Sequence, residues 1–159
     1  MKILYKPLEI LLVEDNKGDI GLIEEFFNDA KIRTNLHVVE DGEEAIRFLC
    51  SINNFIGSLH PDIIILDWNL PKKTGHEVLK EIKENSDLKN IPVIIFTTSS
   101  AEKDILQAYE LNANAYIVKP IDFDEFMKAI KSIEDFWFEA VKLPPKLDQK
   151  LNLKKLQHA

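Results

Sequence analysis

Apolar residues along the chain follow two alternating periods. Short continuous runs occur at residues 9–13, 36–39, 62–66, 93–96 and 116–118 and read as strands. Helical spacing fills the gaps. Ile20, Ile23, Phe27 and Ala30 form the first stripe, Ala45, Phe48, Leu49 and Ile52 the second, and Val78, Leu79 and Ile82 the third. Ala101, Ile105, Ala108 and Tyr109 make the fourth, and Phe123, Phe126, Ile130, Ile133 and Trp137 the most regular one. Strand and helix in strict alternation predict an α/β fold, a doubly wound (βα)5 unit with a five-stranded parallel sheet. The unbroken apolar character of 63–66 and 93–96 predicts strands covered on both faces.

In such sheets a ligand site lies beyond the carboxyl ends of the strands, where the strand order reverses. Glu14 and Asp15 follow the first run, Asp67 the third, Thr97 and Thr98 the fourth, and Lys119 and Pro120 the fifth. Three carboxylates brought to one rim repel each other, and a cation must offset them or one must stay protonated. Oxygen donors of this kind suit Mg²⁺. Lys119 can hold a carboxylate or phosphoryl oxygen, and the hydroxyl of Thr97 can bond the same group. The set suits transient phosphoryl transfer with Asp67 as nucleophile, because that chemistry needs positioning and charge neutralisation more than covalent assistance. Alone, each residue has an ordinary explanation: a strand-end Asp turns the chain, "EDN" caps a helix, Thr forms a turn. Together, at successive strand ends, they point to one site.

Length and charge narrow the field. The 159 residues are enough for one domain. No apolar run reaches the roughly 20 residues that span a membrane, and the net charge of −7 argues against general nucleic-acid binding. That charge is uneven: residues 141–159 hold five Lys and one Asp, a basic tail on an acidic body. The single cysteine, Cys50, forms no internal disulfide and fits a reducing cytoplasm. Its apolar neighbours predict that it is buried. Residues 51–60 lengthen the connection into the third strand, and Pro144-Pro145 ends the last helix. Beyond it, Leu147, Leu151 and Leu156 leave open a short amphipathic helix or disorder.

At these residues the sequence resembles the receiver domain of two-component response regulators. The motifs "LLVEDN", "IIILDWNLPKKTG", "IPVIIFTTS" and "AYIVKP" span about residues 8 to 140 in order. The resemblance implies a flavodoxin-like sheet with strand order 2-1-3-4-5, and Asp67 as acceptor of phosphate from a sensor histidine kinase. It implies Mg²⁺ held by Asp15, Asp67 and the backbone carbonyl of Asn69, with Glu14 acting through water. Thr97 and Lys119 would contact the phosphoryl oxygens, and Tyr116 would be the switch aromatic that turns inward with Thr97. Lys119-Pro120 would be a cis peptide. Asn69 and Ser99 would flank the attacking water and tune the lifetime of the phosphoryl group. "VEDNKGDI", the longer 51–61 connection and "SIEDFWFEAVKLP" are similar to regulators of phytochrome-type kinases.

A receiver over 1–141 followed by a tail of 142–159 leaves no output domain. It would work as a cytoplasmic signalling phosphoacceptor, catalysing only its own phosphorylation and slow dephosphorylation. Output would pass to another protein or along a phosphorelay, without nucleic acid or membrane. Phe136 and Phe138, extra to the helical stripe, suggest a partner or homodimer surface, or a tail folded over them in equal measure. Three rival readings fit the sequence less well. A haloacid-dehalogenase-type hydrolase needs an acid two residues beyond its nucleophile, where this chain has Asn69. An FMN carrier needs a phosphate loop where Glu14 and Asp15 repel phosphate. A scaffold receiver would not need the full Asp15, Asp67, Thr97 and Lys119 set.

Overall fold

The computed structural model describes residues 6–51, 60–145 and 153–157. Five strands and five helices alternate: β1 (Leu8–Val13), α1 (Lys17–Asn28), β2 (Thr34–Val39), α2 (Gly42–Ser51) and β3 (Ile63–Leu66) come first. Then follow α3 (Gly75–Glu84), β4 (Val93–Thr97), α4 (Glu102–Glu110), β5 (Ala115–Val118) and α5 (Phe123–Ile133). A π-helical segment, Glu134–Ala140, continues α5. All neighbouring strands are parallel, in the order β2-β1-β3-β4-β5. The doubly wound fold expected from the alternation is therefore the fold observed.

Alternation along each strand divides the core into two layers. Leu11, Val13, Ile64, Leu66, Val93 and Ile95 face α2, α3 and α4, where Ala45, Leu49, Val78, Leu79, Ile82 and Ala108 meet them. Ile10, Leu12, Ile63, Ile65, Ile94 and Phe96 face α1 and α5, against Ile23, Phe27, Phe126, Ile130 and Ile133. Every residue of β3 and β4 is buried. Ile63–Leu66 and 93–96 are continuously apolar because both faces are covered.

Side chains start the helices where the strands deliver the chain. Asn16 caps α1 by accepting from Asp19 N, Thr74 caps α3 by accepting from Glu77 N, and Asp122 caps α5 by accepting from Glu125 N. Asp41 Oδ1 accepts from Glu44 N at 2.8 Å and starts α2 in the same way.

Several expectations need correction. Cys50 is exposed. Ala45 and Leu49, four apart, define the buried stripe of α2, and Cys50 lies one residue further round beside exposed Arg47 and Ser51. Phe123 is 58% exposed and not core. It is the first residue of α5, beyond the carboxyl edge of the sheet, so only Phe126 and its successors reach the strands. Among the described residues no peptide bond is cis, so Lys119–Pro120 is trans. The trans isomer is favoured by roughly 0.5–1 kcal/mol for such a bond, and here it carries the chain from β5 to the Asp122 cap. Phe138 packs on Phe27 with ring centroids 5.6 Å apart, whereas Phe136 stays 56% exposed. Ile52, Leu147 and Leu151 lie outside the described residues, as does most of the 51–60 connection. Leu156 belongs to a short helical stretch at 153–157 and is 73% exposed.

The loop after β3 depends on glycine. Gly75 N donates to Trp68 O at 2.9 Å, folding residues 68–75 back on the strand end. A Cβ on Gly75 would lie 2.4 Å from Asp67 O and 2.6 Å from Trp68 Cα. Both are backbone atoms that cannot turn aside. Gly75→Ala should therefore destabilise the fold by about 2 kcal/mol, the usual cost of forcing volume into a packed site, as read by urea unfolding. Wild-type stability would show that this loop moves freely.

Candidate functional site

Sheet register brings the rim together. Val13 pairs with Leu66, so the residues leaving β1 and β3 emerge side by side. Glu14 N donates to Val39 O and Asp67 N donates to Val13 O, each at 3.0 Å, which extends the ladder just past the strand ends. Glu14 (1% exposed) and Asp67 (7%) are buried, whereas Asp15 opens to solvent. Carboxylate oxygens of Glu14, Asp15 and Asp67 all lie within 4.8 Å of one another.

Lys119 crosses from the end of β5 to meet them. Its Nζ donates to Glu14 Oε2 at 2.7 Å, Asp19 Oδ2 at 2.8 Å and Asp67 Oδ2 at 3.1 Å. Burial works against its charge, but the hydrogen bonds to Asp19 and Glu14 and the field of Asp67 outweigh this and raise its pKa. Glu14 shows the opposite strain. Burial and the charge of Asp67 push its carboxyl up to about 7, although its hydrogen bond from Lys119 draws it down. One ammonium does not offset the surrounding carboxylates, which is the electrostatic condition for a bound cation.

Asp19 joins the site without having been singled out from the sequence. Its signal was local: it stands in the first turn of α1, three residues after the Asn16 cap, and that helix begins at the rim. The same turn carries its carboxylate to Lys119.

The remaining candidates divide. Thr97 is fully buried at the end of β4, and its hydroxyl accepts from Ser99 N at 3.5 Å. Its backbone carbonyl accepts from Lys119 N at 2.6 Å, fastening the end of β4 to the residue that follows β5. Ser99 turns away from the carboxylates, since its hydroxyl donates to Asp104 Oδ2 of α4 at 2.5 Å. Tyr116 is half-buried and points inward, its hydroxyl donating to Ser99 O at 2.9 Å; burial raises its pKa. Asn69 is exposed, and its N–H donates to Asp67 Oδ1 at 3.1 Å, leaving both oxygens of Asp67 engaged. An open groove of about 760 Å³ runs beside Lys119, between Asn16, Asp19 and Leu22 at the start of α1 and Ile121 and Phe123 at the entry to α5.

A switch-point cleft of carboxylates with a bridging lysine, on a 2-1-3-4-5 parallel sheet, defines a class: doubly wound, flavodoxin-like proteins whose site lies beyond the carboxyl ends of the strands. The response regulator receiver domain matches residues 10–131, and the chain belongs to that family. The response regulator Rcp1 of Synechocystis sp. is 45% identical over 138 residues, 87% of this chain and 94% of that one. Chemotaxis protein CheY of Pseudomonas aeruginosa is 29% identical over 126 residues, 79% and 95% of the two chains. The crystal structure of the Mn²⁺-bound form of Rcp1 superposes with a TM-score of 0.82 at 45% identity, covering 87% of this chain and 100% of that one. That of the phosphorylated cyanobacterial phytochrome response regulator RcpA gives 0.83 at 41% identity, covering 88% and 100%. Five parallel strands in this order are thus the receiver fold.

The rim residues fit a divalent ion: three hard oxygen donors converge, one of them exposed enough to leave room for water ligands. Without an ion, the stability that neutral Glu14 provides is complete below about pH 4.5 and is lost as pH rises through about 7. Ion binding needs the carboxylate and so runs against that proton. Affinity for Mn²⁺ or Mg²⁺ should fall about tenfold from pH 8 to pH 6, with proton release at the lower pH, in calorimetric titrations. Equal affinities at the two pH values would remove Glu14 from the ion's surroundings.

Proposed function

We propose that this chain is a phosphoaspartate switch: Asp67 accepts a phosphoryl group from a phosphohistidine of a sensor kinase. The observation that supports the reading best is the convergence of Glu14, Asp15 and Asp67 with the ammonium of Lys119 at one rim. A carboxylate oxygen of Asp67 attacks phosphorus, the P–N bond to the donor imidazole breaks, and the electron pair leaves with that nitrogen. An acyl phosphate remains on Asp67. Mg²⁺ held by Glu14, Asp15, Asp67 and the Asn69 carbonyl would offset the charge gathered in that step. Lys119, holding its proton tightly beside Asp67, would bond an oxygen of the phosphoryl group once it is on Asp67.

The switch is assigned to Thr97 and Tyr116. When the Thr97 hydroxyl turns to the phosphoryl group, Ser99 N loses its acceptor and the β4–α4 connection is free to shift. Tyr116, bonded to the carbonyl of that connection, shifts with it. Asn69, beside Asp67, and Ser99 are assigned to phosphoryl lifetime. The receiver unit is placed at 1–141 and the basic stretch at 142–159. Similarity to Rcp1 and RcpA supports a phytochrome-type kinase as donor and a cytoplasmic setting. Output passes by protein contact, for which exposed Leu106, Tyr109 and Val118 offer apolar surface and a second copy is one partner.

Incubation with acetyl phosphate and Mg²⁺ should add a single phosphoryl group by intact mass. Chelation of the ion, prior beryllofluoride or Asp67→Asn should each prevent it. Undiminished labelling of Asp67→Asn would overturn the assignment.

A further inference from the structure

The π-helical segment that ends α5 gathers a second group of acids. Val141 N donates to Phe136 O at 3.0 Å, a bond spanning five residues. In an α-helix, Glu134 and Glu139 would point about 140° apart. The wider turn brings them round to one side. Carboxylate oxygens of Glu134, Asp135 and Glu139 lie within 4.8 Å of one another, and besides the rim this is the one such group among the described residues.

A cluster of exposed acids would carry little, but Glu134 is not exposed. It is 2% accessible, its Oε1 accepts from Lys131 Nζ at 3.2 Å, and its Oε2 has no partner. A buried carboxylate oxygen without a donor is costly to maintain. Lys131 also donates to Asp135 at 2.7 Å, so a single ammonium is shared by two of the three carboxylates. That lysine is half-exposed and can leave for solvent when a stronger cation arrives. Glu134 lines an open groove of about 310 Å³ against Asp29, Lys31 and Met127, which gives an ion a way in.

We propose that Glu134, Asp135 and Glu139 form a second divalent-cation site, suited to Ca²⁺. Three carboxylates on one turn of chain offer an irregular oxygen cage. Ca²⁺ accepts such geometry, whereas Mg²⁺ demands a near-ideal octahedron. The ion would take the unpartnered oxygen of Glu134 and fasten the end of α5, where Phe138 packs on Phe27 of α1.

Calorimetric titration of the full chain with Ca²⁺ at constant ionic strength tests this. With the rim disabled by Asp15→Asn and Asp67→Asn, a single Ca²⁺ should still bind, with Kd on the order of 10⁻⁴–10⁻³ M. Adding Asp135→Asn and Glu139→Gln should weaken that binding at least about tenfold, equivalent to about 1.4 kcal/mol. Both added positions are exposed, and circular dichroism separates lost binding from lost fold. No Ca²⁺ uptake by the rim-disabled chain, or equal uptake after the added substitutions, overturns the site. Asp135→Asn with Glu139→Gln alone should leave acetyl phosphate labelling unchanged, so the two readings fail separately.

Discussion

One buried ammonium organises the functional end of this molecule. Lys119 arrives from the last strand and bonds carboxylates from the end of the first strand, the first turn of the first helix and the end of the third strand. Truncating one side of a buried ion pair typically costs about 3–5 kcal/mol, because the remaining charge has no water to return to. The rim is thus a closed electrostatic unit, in which the ammonium is needed for the carboxylates to be buried and the carboxylates keep the ammonium charged. The balance is deliberately incomplete: Glu14 sits near pH 7 and not fully ionised. A site short of positive charge is one that a cation can complete.

Much of this was legible in the sequence because parallel sheets obey strong rules. Runs such as 63–66 and 93–96 could only be strands covered on both faces, and alternation with helices fixed which chain ends share a rim. Glu14, Asp15, Asp67, Thr97 and Lys119 were found because a strand end is a position that can be counted. Asp19 was missed for the same reason. It lies on a helix, and its place in the site depends on how far α1 rotates after its cap, which no strand count reveals. The resemblance places Ser99 near the rim, and in the structure its hydroxyl bonds Asp104 of α4. Spacing locates a backbone; the rotamer answers to neighbours that only the fold supplies.

The misplaced apolar residues have a common cause. Phe123 and Cys50 both fit a helical stripe or its margin, but a stripe says which way a residue points and not what it meets. Phe123 points correctly and finds the sheet already ended; Cys50 lies about 100° round from Leu49 and meets solvent. Helices that overrun a sheet expose part of their apolar face, and the overrunning start of α5 flanks the rim groove.

Polar and apolar ends of the molecule therefore meet along α5. Its first residue borders the groove beside Lys119, its middle packs on Phe96 through Phe126, and its last turn widens into the π segment whose aromatics reach α1. Lys119 itself lies 5.8 Å from the Phe96 ring centroid, so the charge at the rim rests on the aromatic that α5 covers. Displacing Lys119 toward a new oxygen would alter that contact. A change of charge at Asp67 thus has a packed path, through Lys119, Phe96 and Phe126, into α5. The path is one of adjacency; coupling along it requires that α5 have two arrangements to choose between, and its last turn already departs from α-helical geometry around the buried, half-satisfied Glu134.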